Sequence, residues 1–423
     1  MKILWLVNIA LPEANLLMKR DLNPLGGWLT GMANSIKEIE NIELIIAYPE
    51  NKIKDVIELN GDKVKFFAFP HINAKEIKTN KDNKNLLNII GKIKPDLVHI
   101  FGTEYLHSLA MVKLCKSKNI KSILLIQGLT SIISKHYSAS LPSKVLNRYT
   151  FRDFLKNNNI LKEQERFKTI GLYEIEALKI VNFVMGRTTW DYACVKQINP
   201  DITYYHCNET LRDEFYKHTW DISKCEQYSI FVSRAVTPLK GLHFLLEALP
   251  IILKQFPKTK LYIGGGDITK SNAFFDRLKL SSYAKYIKEL IIKLKLQDKI
   301  IFTGLLDEQQ MCERFLKSHV YVNPSTIENE SNSISEAKLL GVPCVASYVG
   351  GVIDRIEHGI DGYLYQHDAP YMLAYYVCNI FDNNELALKL SDNARKRALI
   401  TNDKEKNLKK LLDIYNMINE SNL

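Results

Sequence analysis

Four charged residues in the second half of the chain could do phosphate chemistry and hold the polar groups of a ligand. Arg234 and Lys240 flank the loop Arg234-Ala235-Val236-Thr237-Pro238-Leu239-Lys240-Gly241, between a short apolar run and a helical pattern of Leu242, Leu245, Leu246, Leu249, Leu253 and Phe256. A loop joining a strand end to a helix start offers helix amides and two cations to one anion, so it suits a phosphate. Two solvated cations on an ordinary loop are the plain alternative. Glu328 and Glu336 stand seven residues apart in a stretch that runs from Asn323-Pro324 to Gly341-Val342-Pro343. Glu328 falls in a polar loop after a strand. Glu336 falls in the first turns of a helix that Gly341 and Pro343 close. The start of that helix, around Asn332, Ser333, Ile334 and Ser335, presents N–H groups to an anion. Glu336 has a second reading, because Ser333-Ile334-Ser335-Glu336 fits a capping box. Glu330 reads as a solvated carboxylate.

Glycine turns follow two more apolar runs, at Gly264-Gly265-Gly266 and at Gly350-Gly351, and glycine lets backbone pass close to a ligand. In the first half, His99 ends an apolar run and reads as a core residue. His136, in Ser134-Lys135-His136-Tyr137, and Gln127, in Gln127-Gly128, stand near strand ends as acceptor-side candidates. The seven cysteines are scattered and form no Cys-x-x-Cys pair. That spacing suits reduced thiols in a cytoplasm rather than disulfides or zinc.

The elements that must position these groups alternate. Strands are expected at 3–8, 42–47, 64–69, 97–101, 122–127, 180–186 and 203–207, then again at 229–233, 261–263, 300–303, 320–323, 344–347 and 363–365, with helical stretches between most of them. Continuous apolar strands alternating with helices mean parallel sheets covered on both faces, and two series mean two doubly wound α/β domains. The expected division is 1–208, a linker at 209–226, a second domain at 227–400, and a terminal helix within 401–423 with an apolar stripe from Leu408 to Ile418. Ligands of such sheets bind at the carboxyl ends of the strands.

The chain has 423 residues and a formal net charge of +10. Residues 1–208 hold 29 Lys/Arg against 20 Asp/Glu, so the first half carries nearly all of the excess. Lys144, Arg148, Arg152 and Lys156 recur every fourth residue, among Val145, Leu146, Tyr149, Phe151, Phe154 and Leu155. An anionic membrane surface or a solvated face explains them. Nucleic acid is not expected, because no helix-turn-helix, RNP or zinc pattern occurs. No apolar stretch reaches the roughly 18 residues a membrane span needs, and the first ten residues read as a buried strand rather than a signal peptide.

Taken in order, these motifs resemble the retaining glycosyltransferases of family 4, also called glycosyltransferase group 1. Ser233-Arg234 through Lys240-Gly241 is similar to the family's G-R-x4-K-G loop, Gly264–Gly266 to its G-x-G, Phe302-Thr303-Gly304 to its F-x-G, and Glu328 to Glu336 to its E-x7-E signature. Glu357-His358-Gly359 and Asp361-Gly362-Tyr363-Leu364 also fit. In the first half, Gly26-Gly27 resembles the family's donor loop and Asp96-Leu97-Val98-His99 its D-x-V-H strand. Two departures stand out. Gln127-Gly128 replaces a frequent His, and Asn329-Glu330-Ser331 replaces a frequent Gly-Phe-Gly.

The resemblance implies the GT-B fold, with two Rossmann-like domains facing across a cleft and the terminal helix crossing back to the first. It implies a nucleotide diphosphate sugar as donor, UDP-linked by family frequency, and no metal or other cofactor. Arg234 and Lys240 would meet the departing diphosphate, and Glu328 the donor sugar. Glu336 would hold the ribose hydroxyls, and Gly26, Gly27, Gly265, Asn332, Ser333 and Ile334 would line the donor. The acceptor would be a glycan or lipid-linked glycan of a bacterial surface polysaccharide, reached in the cytoplasm or at the inner membrane's cytoplasmic face. A nucleotide-sugar 2-epimerase and a non-catalytic basic module for glycan or membrane stay open as alternatives.

Overall fold

The computed structural model describes residues 1–20, 27–78, 82–270 and 278–421. The chain divides into two compact units, one of residues 1–132, 168–212 and 402–423, the other of 133–167 and 213–401.

The first unit is built on eight strands: β1 Lys2–Leu6, β2 Glu43–Glu50, β3 Ile57–Asn60, β4 Val64–Pro70, β5 Leu97–Phe101, β6 Ser122–Leu125, β7 Phe183–Gly186 and β8 Thr203–His206. Their order is β3-β4-β2-β1-β5-β6-β7-β8, and every pairing is parallel except β3 with β4. Alternation along β1 divides two cores. Leu4 and Leu6 pack with Leu86, Ile89 and Ile90 of the helix Lys84–Ile93, which Asn83 caps by accepting from the N–H groups of Asn85 and Leu86. Ile3 and Trp5 pack on the opposite face with Leu411, Ile414 and Tyr415 of the terminal helix Lys404–Glu420. The Tyr415 hydroxyl receives the Trp5 indole N–H at 3.1 Å and lies 2.6 Å from His99 Nδ1.

The second unit has six parallel strands: β9 Glu226–Val232, β10 Lys260–Ile263, β11 Ile300–Phe302, β12 Ser318–Asn323, β13 Cys344–Ser347 and β14 Tyr363–Tyr365. Their order is β11-β10-β9-β12-β13-β14. Successive strands step outward from β9 on one side and then from β12 on the other. The strand order therefore reverses between β9 and β12, where an open α/β sheet leaves a crevice beyond its carboxyl edge. In the first unit the corresponding reversal falls between β1 and β5.

All thirteen expected strands are present, with ends shifted by up to three residues. The strand that was not expected, β3, alternates between half-buried and exposed positions and forms an antiparallel edge with β4 through a turn at Gly61. The division of the chain also differs from the sequence reading. Residues 133–167, assigned there to the first domain, group with the second unit. Asp153, almost wholly buried, accepts from the Ser282 N–H at 3.1 Å, Arg148 pairs with Glu289 at 2.8 Å, and His243 Nε2 reaches the Ala139 carbonyl at 2.9 Å. The stretch read as a linker is ordered too. Trp220 is buried, its backbone N–H bonded to the Leu340 carbonyl and its indole to that of Ser318. With the segment moved, the first unit holds 27 Lys/Arg against 22 Asp/Glu and the second 30 against 25. The surplus is shared equally between the two units, although most of it lies in the first half of the sequence.

Candidate functional site

The residues singled out in the second half converge on the β9/β12 reversal. After β9 the chain passes Ser233 and an exposed Arg234, then turns through the short 3-10 helix Pro238–Lys240 into the helix Leu242–Gln255. The joint is Gly241, whose φ is +66°, and a side chain there would overlap the Pro324 carbonyl oxygen. Only glycine combines that backbone angle with such an approach. The loop after β12 is thereby laid against the loop after β9, and the Thr326 N–H to Leu239 carbonyl bond of 2.8 Å ties them.

This contact places Lys240 Nζ 2.5 Å from Glu328 Oε1, which also accepts from Ser325 Oγ at 2.7 Å. Glu328 is held from below as well. Its carbonyl accepts from the Gly351 N–H at 3.0 Å, and a side chain at Gly350, where φ is +48°, would overlap that oxygen. The Gly350-Gly351 turn and the lysine loop thus both serve to position one carboxylate. Gly265, at φ +102°, bridges to Gly304 of the Phe302-Thr303-Gly304 turn, so those two motifs form one structure. Arg234 forms no ion pair among the described residues and stays exposed.

The helix carrying Glu336 is Asn332–Leu340. Its N-cap residue is Ser331, whose hydroxyl accepts from the Asn323 amide at 2.9 Å. Ser333 is therefore inside the helix, and the capping box expected at Ser333–Glu336 is not formed. Glu336 lies in the second turn, only 6% exposed. Glu330, expected in solvent, is instead buried against Arg355 at 2.8 Å. Beneath the same helix, Lys338 and Asp361 form a buried pair at 2.8 Å, and Arg397 joins Asp361 at 3.3 Å. Burial lowers the Lys338 pKa, with Asp361 opposing. The Asp361-Gly362 motif thereby works as an anchor for the Glu336 helix.

Two residues were missed. Tyr321, at 1% exposure in β12, puts its hydroxyl 3.0 Å from Ser233 Oγ and within hydrogen-bonding reach of Ser333, so it links the β9 loop to the start of the Glu336 helix. Asn329 is 4% exposed, yet neither polar atom of its amide has a hydrogen-bond partner among the described residues. A buried amide without partners is costly, and this one sits directly beside Glu328. The replaced Gly-Phe-Gly was its only sequence signal.

The remaining candidates are dispersed. Gly26 lies outside the described residues, and Gly27 begins the helix Gly27–Ile36. Gln127 is half-buried just beyond β6 in the first unit. His136 is exposed in the second unit, its pKa lowered by partial burial and then by His367 and Lys135. Among the described residues no group of three or more His, Cys, Asp or Glu side chains could hold a metal ion, and no helix is long and apolar enough to cross a membrane.

Residues 213–397 match the model of the glycosyl transferases group 1. The chain is 21% identical over 377 residues to an uncharacterised glycosyltransferase of Methanocaldococcus jannaschii, covering 88% of this chain and 87% of that protein. Among solved structures, sucrose-phosphate synthase from Thermosynechococcus elongatus superposes with a TM-score of 0.70 at 16% identity, over 99% of this chain and 98% of its own. The Anabaena protein HepE, solved with UDP and glucose, gives 0.66 at 14% identity, over 98% and 99%. The group 1 motifs of the matched span, residues 213–397, thus gather on the β9/β12 crevice, and the chain as a whole has the GT-B fold of these glycosyltransferase structures.

Proposed function

We propose that the protein is a family 4, retaining, metal-independent enzyme. It moves a hexosyl or N-acetylhexosaminyl unit from a UDP-linked sugar to a glycan or lipid-linked acceptor of a bacterial surface polysaccharide, on the cytoplasmic side of the membrane. The observation that carries this reading is the Lys240–Glu328 pair at the strand reversal, beside the amino end of the helix Asn332–Leu340. When the bond from the sugar's anomeric carbon to the diphosphate breaks, its electron pair leaves on the diphosphate. Lys240, Arg234 and the first N–H groups of that helix supply positive charge for it. An arriving diphosphate shares Lys240 with Glu328, which frees carboxylate lone pairs for sugar hydroxyls. Glu336, one helical turn further along, receives the ribose hydroxyls. UDP bound to the Anabaena protein supports the choice of base.

Contact with an anionic inner-leaflet surface has its own support. Phe151, Phe154 and Leu155 are 51%, 69% and 67% exposed, next to Arg152 and Lys156. Cations near such a surface contribute about 1 kcal/mol each.

The reading is tested by hydrolysis of UDP-glucose and UDP-N-acetylglucosamine, with and without EDTA, alongside thermal shifts with UDP, GDP and ADP. Turnover that survives EDTA and a shift with UDP are expected. No shift with any nucleotide, or wild-type turnover in both Lys240→Ala and Glu328→Ala, overturns it. Flotation with phosphatidylglycerol vesicles tests the surface contact, which Phe154→Ser with Leu155→Ser is expected to abolish.

A further inference from the structure

The strand order of the first unit reverses between β1 and β5, so a ligand crevice is expected there as well. The two strand ends are joined by their own side chains, the Asn8 amide donating to the Tyr105 hydroxyl. Glu104 directly precedes Tyr105. The turn that carries it leaves β5 through Gly102, at φ +91°, and a side chain on Gly102 would meet Glu104 Oε2 at 2.9 Å. That oxygen is buried and has no hydrogen-bond partner among the described residues.

The contrast with the neighbouring carboxylate is chemical. Glu174, fully buried in the helix Ile160–Ile180, accepts from Thr103 Oγ1 at 2.7 Å, from Thr130 N and Oγ1 at 2.9 Å, from Ser131 N at 3.0 Å and from Ser131 Oγ. Those five bonds make Glu174 the fixed frame of the β5 and β6 loops. Glu104, on the same frame, keeps an oxygen with no donor among the described residues. A buried acceptor without a donor is retained against a stability cost, and a ligand donor would meet it.

We propose that Glu104, with Asn8 and Tyr105 beside it, forms a hydroxyl-binding subsite of the first unit, in which its free carboxylate oxygen accepts a hydrogen bond from a sugar or polyol hydroxyl of the acceptor. The subsite rests on the transferase reading above and adds to it the group that recognises the acceptor.

Titration supports the geometry. Burial raises the Glu104 pKa to about 7; backbone N–H groups and Tyr105 oppose the rise, and the Glu174 charge adds to it. Tyr105 and Glu174 are the titratable groups facing it, and the Tyr105 phenol is itself raised by burial. The charged carboxylate binds a hydroxyl more strongly than the neutral acid. Acceptor capture therefore rises as pH passes through about 7. The folded pKa lies above the unfolded value, so the folded protein holds the extra proton between 4.5 and about 7. Glu104 consequently lowers stability as pH rises through that range.

The test uses the full chain, a UDP-sugar that it hydrolyses, and methyl glucoside, methyl N-acetylglucosaminide and glycerol as probe acceptors. The ratio of transfer to hydrolysis is read by mass spectrometry from pH 5.5 to 8.5. Wild type is expected to transfer to at least one probe, with the ratio rising through about pH 7. In the isosteric Glu104→Gln, the ratio is expected to fall about tenfold and lose that rise, a tenfold change being about 1.4 kcal/mol. Donor hydrolysis is expected to stay within about twofold, and the melting temperature at pH 8 not to drop. An unchanged ratio, absence of transfer to every probe, or a variant that melts lower at pH 8 overturns the subsite while hydrolysis persists. Absence of donor hydrolysis in wild type instead overturns the transferase reading, and the subsite with it.

Discussion

The two strand reversals of this chain treat their carboxylates differently. At β9/β12, Glu328 is paired with Lys240 at 2.5 Å, and both stand on loops interlocked through Gly241 and Gly350. At β1/β5, Glu174 is saturated by neutral donors while Glu104 has an oxygen that nothing among the described residues satisfies. A carboxylate balanced by a partly exposed lysine can exchange partners when an anion arrives. One locked by five short-range donors can only support its neighbours. One left unsatisfied costs stability until a ligand supplies the donor. The difference separates exchange, support and recognition in residues of the same chemical type.

The comparison breaks most visibly at the exchanging pair. Lys240→Ala removes a fixed cation from the leaving diphosphate, and donor turnover is expected to drop by roughly 10²–10³-fold, the effect of losing one preorganised donor. Glu328→Ala is expected to cost a similar factor with Lys240 still present. Steady-state hydrolysis of UDP-sugars reads both. A loss in Lys240→Ala that Lys240→Arg fully restores would make charge alone sufficient. A loss that arginine leaves in place ties the role to the lysine's reach.

Support is tested by Glu174→Ala. It strands the Thr130 and Ser131 N–H groups and three hydroxyls, at a cost of about 3 kcal/mol in urea unfolding. Glu104→Gln is expected to cost nothing at pH 8. Equal costs for the two would erase the distinction between the frame and the subsite it holds.

How far this was legible in the sequence follows the same divide. The β9/β12 site is written in contiguous motifs. The Arg234–Lys240 loop, the Gly350-Gly351 turn and the Glu328–Glu336 interval each specify local backbone, and parallel strands read as apolar runs because both their faces are covered. Glu104 was not legible, because its surroundings come from β1, from β5 and from a helix some 70 residues further on, none marked by a motif. The placement of residues 133–167 depends on Asp153 meeting Ser282, 129 positions away, which no local pattern encodes. The helix bearing Glu336 carried its own false signal. Ser333 and Glu336 have capping-box spacing, but Asn323 engages the Ser331 hydroxyl and the N-cap is Ser331, two residues before Ser333.

Backbone strain tests the interlock itself. Gly241→Ala puts a side chain against the Pro324 carbonyl at a positive φ, so a loss of about 2 kcal/mol is expected. Turnover should fall with it, because the same contact sets the Lys240–Glu328 distance. The loss of stability without loss of turnover would uncouple the glycine from the site.

The smallest effect treats the two units alike, and so marks what the comparison does not cover. Burial lowers His99 and His107 in the first unit to about 3, and His243 and His319 in the second to about 4. Each folded pKa is below the ordinary 6.5, so the unfolded chain takes up protons that the folded chain refuses. Their contribution is fully present above pH 6.5 and is lost as pH falls from there toward the folded values. Each neutral histidine adds about 1.4 kcal/mol per pH unit to the slope of stability in that window. His243→Gln keeps a donor for the Ala139 carbonyl but cannot take up the proton. It should flatten the slope of unfolding free energy between pH 4.5 and 6 by about that amount, measured by urea titration of the tryptophan fluorescence. An unchanged slope would mean that His243 is protonated in the folded unit, with its Ala139 bond holding the charge.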